Sequence, residues 1–368
     1  MHKVLQESAL PEDFVLSFRS KLLDWFHLNG RDLPWRRTKD PYKIWVSEII
    51  LQQTQVVQGR AYYERFISEL PNVEALANVS EDRLLMLWQG LGYYSRAHNL
   101  KYSAQKIMTE YGGVFPNTPV GVRSLKGVGP YTTAAIMSIA YDYPLAVIDG
   151  NVYRVLSRLL ASGAPIDTTE GKRYYEEQAD RFLDKSSPSD YNQAIMDLGA
   201  VVCTPRNPLC HSCPVQALCQ SYGTDLVELL PRKEKRIQVA QRYMYFYLYL
   251  HDDSFAVERR EKKGIWKGLY QLPLFVSNSA KTAPSPPLEG WTVVDELVLP
   301  DHRLSHRLLH IKVLVCYSEP PVDTSSHNYE WIHTADHKEF AFPKPLRAFL
   351  DRYFAPSSPS LFDDEERL

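Results

Sequence analysis

No apolar run long enough to span a bilayer, which takes about 18 or more consecutive residues, occurs in this chain of 368 residues. The opening stretch MHKVLQESALPEDF carries acids where a secretory leader needs a clean apolar core. A cytoplasmic protein with no membrane association is expected. A basic excess is missing too: 42 Lys+Arg stand against 44 Asp+Glu, for a formal net charge of −2. This argues against a surface broadly committed to nucleic acid, although a charge-balanced protein can still hold phosphates through amides and a locally positive face. Cysteine is sparse, with five residues, and in a cytosolic chain these are not expected to form disulfides. Internal repeats are absent.

What is present divides near residue 223. Before it, FVLSFRSKLLDWFHLNG, KIWVSEIILQQTQVV, NVYRVLSRLLA and YNQAIMDLGAVV return apolar residues every three or four positions, the period of a helix with one buried face. After the charged connector PRKEKRIQ come strand-like runs, RYMYFYLYLHDDSFAVERR with Asp252-Asp253 as a turn, then LLHIKVLVCY and YEWIH. The Ser/Pro-rich stretch SNSAKTAPSPPLEG reads as a loop, and APSSPSLFDDEERL as a disordered acidic tail. The expectation is an all-α first domain over 1–222, a linker over 223–240, an α+β second domain over 241–355 and a tail over 356–368.

The stretch LKGVGPYTTAA, followed about 20 residues later by Asp149, comes near a dinucleotide-binding fingerprint. It fails on two counts. PNTPVGVRSLKGVG has no β-branched run to form the preceding strand, and Thr132 stands in place of the third glycine. A turn between helices is the simpler reading. Such a turn still directs amides of Gly127, Val128 and Gly129 outward ahead of Pro130, a favoured first-turn residue. Amides at a helix N-terminus bind anions without a charged side chain, and the anion could be a nucleic-acid phosphate.

Four cysteines, Cys203, Cys210, Cys213 and Cys219, fall in CTPRNPLCHSCPVQALC. Metal binding follows. Four thiolates suit zinc, but structural zinc usually takes two C-x2-C knuckles and here there is one; a [4Fe–4S] cluster also takes four. The spacing leaves both open. Cys316, in the apolar run KVLVCY, reads as core. Glu48 lies in IWVSEIILQQT beside Val46, Ile49 and Ile50, with Gln52 one turn on. On a plain amphipathic helix it would face water. Lining a cleft, it would be desolvated, with a raised pKa and a proton to give near neutrality. Asp149 precedes VYRVLSRLLA and would cap that helix; near the helix N-terminus it stays ionised. Two carboxylates with separated pKa values are what hydrolysis of a glycosidic bond requires.

LKGVGPYT, VIDGNV and the C-x6-C-x2-C-x5-C spacing together resemble the endonuclease III superfamily of helix-hairpin-helix DNA glycosylases. DLPWR (32–36), WVSEIILQQTQV (45–56) and QGLGYYSRAHNL (89–100) narrow the resemblance to the adenine DNA glycosylase (MutY) family, whose members remove adenine mispaired with 8-oxoguanine. It spans roughly residues 14–222. A weaker resemblance around GIWKGLYQLP and HRLSHRLLHIKV relates the C-terminal part to a Nudix fold. The fold implied is an all-α helix-hairpin-helix glycosylase domain with an iron–sulfur cluster loop at 203–219, plus an α+β Nudix-like domain that recognises 8-oxoguanine.

The resemblance also implies roles. Glu48 would protonate the departing adenine and Asp149 would stabilise or trap the sugar cation, with Tyr131 and Asn151 completing the pocket. Trp35, Arg36 and Gln193 would shape it. Leu51, Gln53, Thr54 and Tyr93 would press into the duplex, because an enzyme that works on a base must extrude it; for Tyr93 the competing reading is core packing beside Tyr94. Gly127, Val128 and Gly129 would cradle a phosphate, and Cys203, Cys210, Cys213 and Cys219 would hold a [4Fe–4S] cluster. Ser305 and His306 would read the base opposite adenine. The substrate implied is duplex DNA with 8-oxoguanine:adenine or guanine:adenine pairs in the chromosome, bound by a monomer. Leu304 departs from the phenylalanine frequent in that loop, and Gln193 replaces a glutamate of some relatives. Between Phe275 and Pro300 only Glu289, Asp295 and Glu296 are acidic, so the R-E-x-x-E-E box of Nudix hydrolases is missing. Two rivals remain: an endonuclease III-like lyase, which would have lysine at position 131, and a non-catalytic zinc protein that binds DNA.

Overall fold

Apolar residues at helical spacing become helices along the whole stretch before the cysteine loop. In the computed structural model, which describes residues 11–235, 239–261, 264–280, 285–286, 288–318 and 329–355, these are α1 (Glu12–Asn29), α2 (Pro41–Leu51), α3 (Val56–Glu69), α4 (Val73–Asn78), α5 (Glu81–Trp88), α6 (Ser95–Glu110), α7 (Pro119–Arg123), α8 (Pro130–Tyr141), α9 (Gly150–Leu159), α10 (Thr169–Phe182) and α11 (Pro188–Asp197). The acidic tail expected over 356–368 lies outside the described residues. Contacts divide the chain into two compact units, Met1–Asn78 with His98–Arg236, and Val79–Ala97 with Ile237–Leu368.

In the first unit α8 is the central helix. Every residue from Thr132 to Ile139 is buried, and α2, α7 and α11 pack around it. A helix apolar on all sides belongs in a core. At the rim, α1 buries Val15, Phe18 and Leu22 on one stripe. Phe18 meets Phe182 edge-on at 5.1 Å, and Arg19 closes α10 by donating to the carbonyls of Phe182 (3.0 Å) and Arg181 (2.7 Å). That is how a cation satisfies a helix C-terminus. Each such buried side chain stabilises by about 1.5–3 kcal/mol.

One expected helix is broken. KIWVSEIILQQTQVV reads as continuous, yet α2 stops at Leu51 and α3 starts at Val56. Gln53 between them takes a left-handed backbone, φ 56°, and Thr54 N–H closes the turn onto the Leu51 carbonyl at 3.1 Å. No glycine or proline signals the break, so packing overrides local propensity here. Gln52, at the end of α2, donates its amide to Thr132 Oγ1 (3.4 Å).

The second unit is built on a mixed sheet: β1 (Ala240–His251), β2 (Ser254–Arg259), β3 (Tyr270–Gln271), β4 (Leu274–Ser277), β5 (Thr292–Val298), β6 (His302–Arg303), β7 (Arg307–Tyr317) and β8 (Glu330–His333). The order is β3-β2-β1-β7-β5, with β4 on β1, β6 on β7 and β8 on β2. β1 and β7 run parallel from Ala240↔Arg307 to Tyr249↔Cys316; the remaining pairs are antiparallel. Asp252-Asp253 is the hairpin turn between β1 and β2, and Asp252 sits at φ 48°, a conformation aspartate tolerates in turns. Tyr245, Tyr247 and Tyr249 alternate on one face with Trp291, Leu314 and Cys316, while Met244, Phe246 and Leu248 are buried on the other. A strand buried on both faces reads as a continuous apolar run, which explains YMYFYLYL. Helix α13, here Lys344–Tyr353 (preceded in the chain by α12, Leu226–Leu229), adds Leu346, Phe349 and Leu350 to the core.

Candidate active site

Asp40 caps α2 by accepting from Tyr42 N–H at 2.9 Å, and Pro41 fills the first turn. The helix then runs through the interior with everything from Ile44 to Ile50 buried, Glu48 among them. Glu48 is 6% exposed. Tyr131, in the first turn of α8, donates its hydroxyl to Glu48 Oε2 at 2.8 Å. Loss of hydration pushes the Glu48 carboxyl up to about 7; the Tyr131 bond and Arg36 oppose this, and the Asp149 charge adds to it. The Tyr131 hydroxyl is itself raised by burial and by the Glu48 and Asp149 charges, so it remains a donor.

Asp149 is the N-cap of α9. Its Oδ1 accepts from the amides of Asn151 and Val152, both at 2.8 Å, and its Oδ2 from Asn151 Nδ2 at 2.7 Å. Burial raises this carboxyl above its ordinary range too, and those three bonds and Arg154 offset only part of the rise. The cap and the functional reading therefore describe one geometry. Glu48, Asp149, Tyr131, Asn151, Trp35, Arg36, Leu51, Thr54 and Gln193 all line one cleft of about 190 Å³, and no lysine is among its lining residues. Trp35 is held edge-on to Tyr63 at 5.3 Å. Gln193 commits its Nε2 to Ser189 O and Oγ, each 3.2 Å, which turns its carbonyl oxygen into the group available to a ligand. Gln53 is exposed at the strained turn between α2 and α3.

Three residues of the site had no role assigned from sequence. Asp197, fully buried, binds Arg36 through both carboxylate oxygens (2.7 and 2.8 Å) and also Arg31 (2.8 and 2.5 Å). Burial works to raise its carboxyl, but the bonds from Arg36 and Arg31 outweigh this and hold it below the usual range. It fixes Arg36 at the cleft. The signal was its place four residues after Gln193 on one helix. Arg154, on α9, donates to Asn151 Oδ1 (2.8 Å), Gly199 O (2.6 Å) and Cys203 O (2.7 Å). One turn on, Arg158 donates to Cys203 Sγ at 3.3 Å and Thr204 O at 2.8 Å. The i,i+4 pair in VYRVLSRLL was the signal for these two.

α11 widens into a π-helical turn, Leu198–Val202, that delivers Cys203. Cys203, Cys210, Cys213 and Cys219 then line one small cavity with Arg158, Val202 and Tyr222. Among the described residues no three His, Cys, Asp or Glu donors converge as a single metal ion would need. The four thiols line that cavity together, the donor set a [4Fe–4S] cluster takes. Such a group, once bound, supplies a rigid cross-link for the loop.

The glycine turn also takes shape. A helix, α7, precedes it instead of a strand, which excludes the dinucleotide reading. Gly127 has φ 83°, and a Cβ there would come within 3.0 Å of Asn99. Val128 is buried, and its N–H bonds Leu125 O at 3.1 Å. That bond anchors the turn, in which Gly127 is exposed and Gly129 half-buried.

In the second unit Tyr93 is 46% exposed and Tyr94 only 5%. Core packing belongs to Tyr94. Tyr93 has φ 46°, a strained position of the kind that clusters at functional sites, and its hydroxyl bonds Ser305 Oγ. Ser305 and His306 are exposed at the tip joining β6 to β7, where Leu304 N–H closes on Arg307 O at 2.8 Å. Asp295 and Glu296 lie on strand β5, with Glu296 paired to Lys312.

Known proteins match this architecture along its length. The family model for HhH-GPD superfamily base excision DNA repair proteins matches residues 46–180. An iron-sulfur binding domain of endonuclease III matches 203–219, and a NUDIX domain matches 244–352. An adenine DNA glycosylase of Buchnera aphidicola subsp. Schizaphis graminum is 33% identical, covering 92% of this chain and 99% of its own. The Mus musculus adenine DNA glycosylase is 45% identical over 56% of this chain and 42% of its own. Among solved structures, a thermostable thymine-DNA glycosylase superposes with a TM-score of 0.54 at 30% identity, over 57% of this chain and 97% of that one. An endonuclease III trapped on DNA superposes at 0.51 and 20% identity, over 58% and 97%, which bears on the fold. With relatives of that name aligned from end to end, and with the cysteine loop and both domains matched, the chain belongs to the adenine DNA glycosylase family.

Proposed function

We propose that this chain is a monofunctional DNA glycosylase that hydrolyses the N-glycosidic bond of adenine paired with 8-oxoguanine or guanine in duplex DNA, and so initiates base excision repair. The observation that carries the reading is the carboxylate pair. Glu48, raised to about 7 by burial, still carries its proton in a large share of molecules near neutral pH, and Asp149 is held by three hydrogen bonds at a helix N-terminus. Tyr131 occupies Glu48 Oε2, which leaves Oε1 to carry the proton to the adenine ring. As the bond lengthens, Asp149 faces the sugar cation and stabilises or traps it, and water completes the hydrolysis. Arg36, fixed by Asp197, and Trp35 and Gln193 shape the adenine pocket. Leu51, Gln53, Thr54 and Tyr93 support the distorted duplex, and Gly127 and Gly129 hold a phosphate.

Tyr131 in the cleft, with no lysine beside it, supports hydrolysis without strand cleavage, because a Schiff base needs an amine. Adenine is a normal base, so the error must be read on the other strand. Ser305 and His306 are exposed at a hairpin tip and present polar groups suited to the N7–H and O8 edge that distinguishes 8-oxoguanine from guanine. The protein acts as a cytoplasmic monomer on chromosomal DNA.

A base-release assay on duplexes pairing 8-oxoguanine or guanine with each normal base tests all of this. Adenine release from both mispairs, fastest opposite 8-oxoguanine and leaving an unbroken strand with an abasic site, is expected. Release of an oxidised pyrimidine, or efficient borohydride trapping of an enzyme–DNA adduct, would refute it.

A further inference from the structure

Two arginines lie buried on α9, Arg154 at 8% exposure and Arg158 at 2%. Buried guanidiniums are rare unless a carboxylate neutralises them, as Asp197 does for Arg31 and Arg36. Neither Arg154 nor Arg158 has an ion pair with a carboxylate among the described residues. Their partners are neutral: the carbonyls of Gly150, Gly199, Cys203, Thr204 and Pro205, the Asn151 amide, and one sulfur. Arg158 Nε meets no acceptor at all among the described residues. Both side chains converge on Cys203, Arg154 on its carbonyl and Arg158 on its Sγ.

A [4Fe–4S] cluster in its 2+ state with four thiolate ligands carries a net charge of about −2. Two buried cations and a doubly negative group balance. We propose that the cluster is the counter-ion of Arg154 and Arg158: the arginines retain the cluster electrostatically, and the cluster in turn permits them to stay buried. This rests on the iron–sulfur reading of the four cysteines. It explains why α9 tolerates two cations on its inner face when the charge of Asp149 reaches Arg154 without forming an ion pair. The dependence runs both ways, since removing one partner of a buried ionic set strands the other.

The test compares Arg158→Met and Arg158→Lys in the cluster-bearing protein and in a Cys210→Ser/Cys213→Ser background that cannot assemble it. In the cluster-bearing protein Arg158→Met should lose visible cluster absorbance at least about tenfold faster, the value of one charged hydrogen bond. It should also melt lower and shift the cluster's reduction potential downward, because a nearby positive charge that favoured the reduced form is gone. Arg158→Lys should restore most of the potential. In the cluster-free background the sign should reverse, with Arg158→Met melting higher than its parent because it removes a stranded charge. A melting change of the same sign and size in both backgrounds would overturn the proposal and leave Arg158 a packing residue. If the cluster-free parent shows no cooperative melt, the potential decides: no shift in Arg158→Met overturns the proposal, and a shift that lysine reverses supports it. A colourless, iron-free wild-type protein would instead overturn the cluster reading, and this proposal with it.

Discussion

Glu48 keeps its proton to about pH 7 because burial costs the charged form more than Tyr131 and Arg36 return. A carboxyl raised above its ordinary 4.5 binds its proton more tightly in the folded state. Its contribution to stability is therefore complete below about 4.5 and is lost as pH rises through about 7, roughly 3 kcal/mol in all. Urea denaturation from pH 5 to 8 should show the wild type losing stability over this window while Glu48→Gln stays nearly flat. The same variant should bind mispaired DNA and release adenine about 10²–10⁴ times more slowly, the usual worth of a general acid. Wild-type excision rates in Glu48→Gln would end the assignment. Tyr131→Phe removes a bond that lowers the Glu48 pKa, so the alkaline limb of its rate profile should move to higher pH. At this scale the sequence exposes residue types and spacings, which is why Glu48, Asp149 and the cysteines could be singled out. For Asp197 the spacing from Gln193 places it on the same helix, but its role shows only in the pairing with arginines more than 160 positions away.

Among the elements, the break between α2 and α3 was the least legible. IILQQTQVV has neither glycine nor proline, and only tertiary packing forces Gln53 to φ 56°. A non-glycine residue held there costs about 1 kcal/mol or more. Gln53→Gly should therefore raise the melting temperature by a few degrees while weakening affinity for mispaired duplex. If both properties fall together, the turn is ordinary structure and Gln53 has no part at the DNA. The glycine turn predicts the opposite sign. Gly127→Ala adds a Cβ 3.0 Å from Asn99 at φ 83°, and both stability and affinity should drop. The hairpin at Asp252-Asp253 was plain by contrast, since a two-residue polar turn between alternating strands states its own geometry.

For the molecule as a whole, the change from helical to strand periodicity near residue 223 is visible in the sequence. The affiliation of Val79–Ala97 with the later unit is not. Asp82 pairs with Arg259 at 2.8 Å, and Arg347 reaches Gln89, links that no local pattern announces. Cutting the chain near Gly223 would strip this segment of its partners, so opposite-base discrimination is better tested in the intact protein. Ser305→Ala or His306→Ala alone should change the preference for 8-oxoguanine over guanine several-fold, at about 0.5–1.5 kcal/mol per lost bond. The double variant should change it further while adenine release from the better substrate continues. Unaltered discrimination in the double variant would assign that hairpin another task.

The parallel pairing of β1 with β7 carries a consequence on the time axis. Ala240 is matched to Arg307, and a ribosome adding about 5–20 residues per second needs roughly 3–13 s to deliver the second after the first. Throughout that interval a tyrosine-rich strand destined for burial on both faces waits outside the exit tunnel without the neighbour it pairs with along ten positions. Val79–Ala97 waits longer still. The nascent chain is thus most exposed to misassociation midway through its own synthesis, and slowing translation between codons 250 and 307 should increase its capture by holdase chaperones.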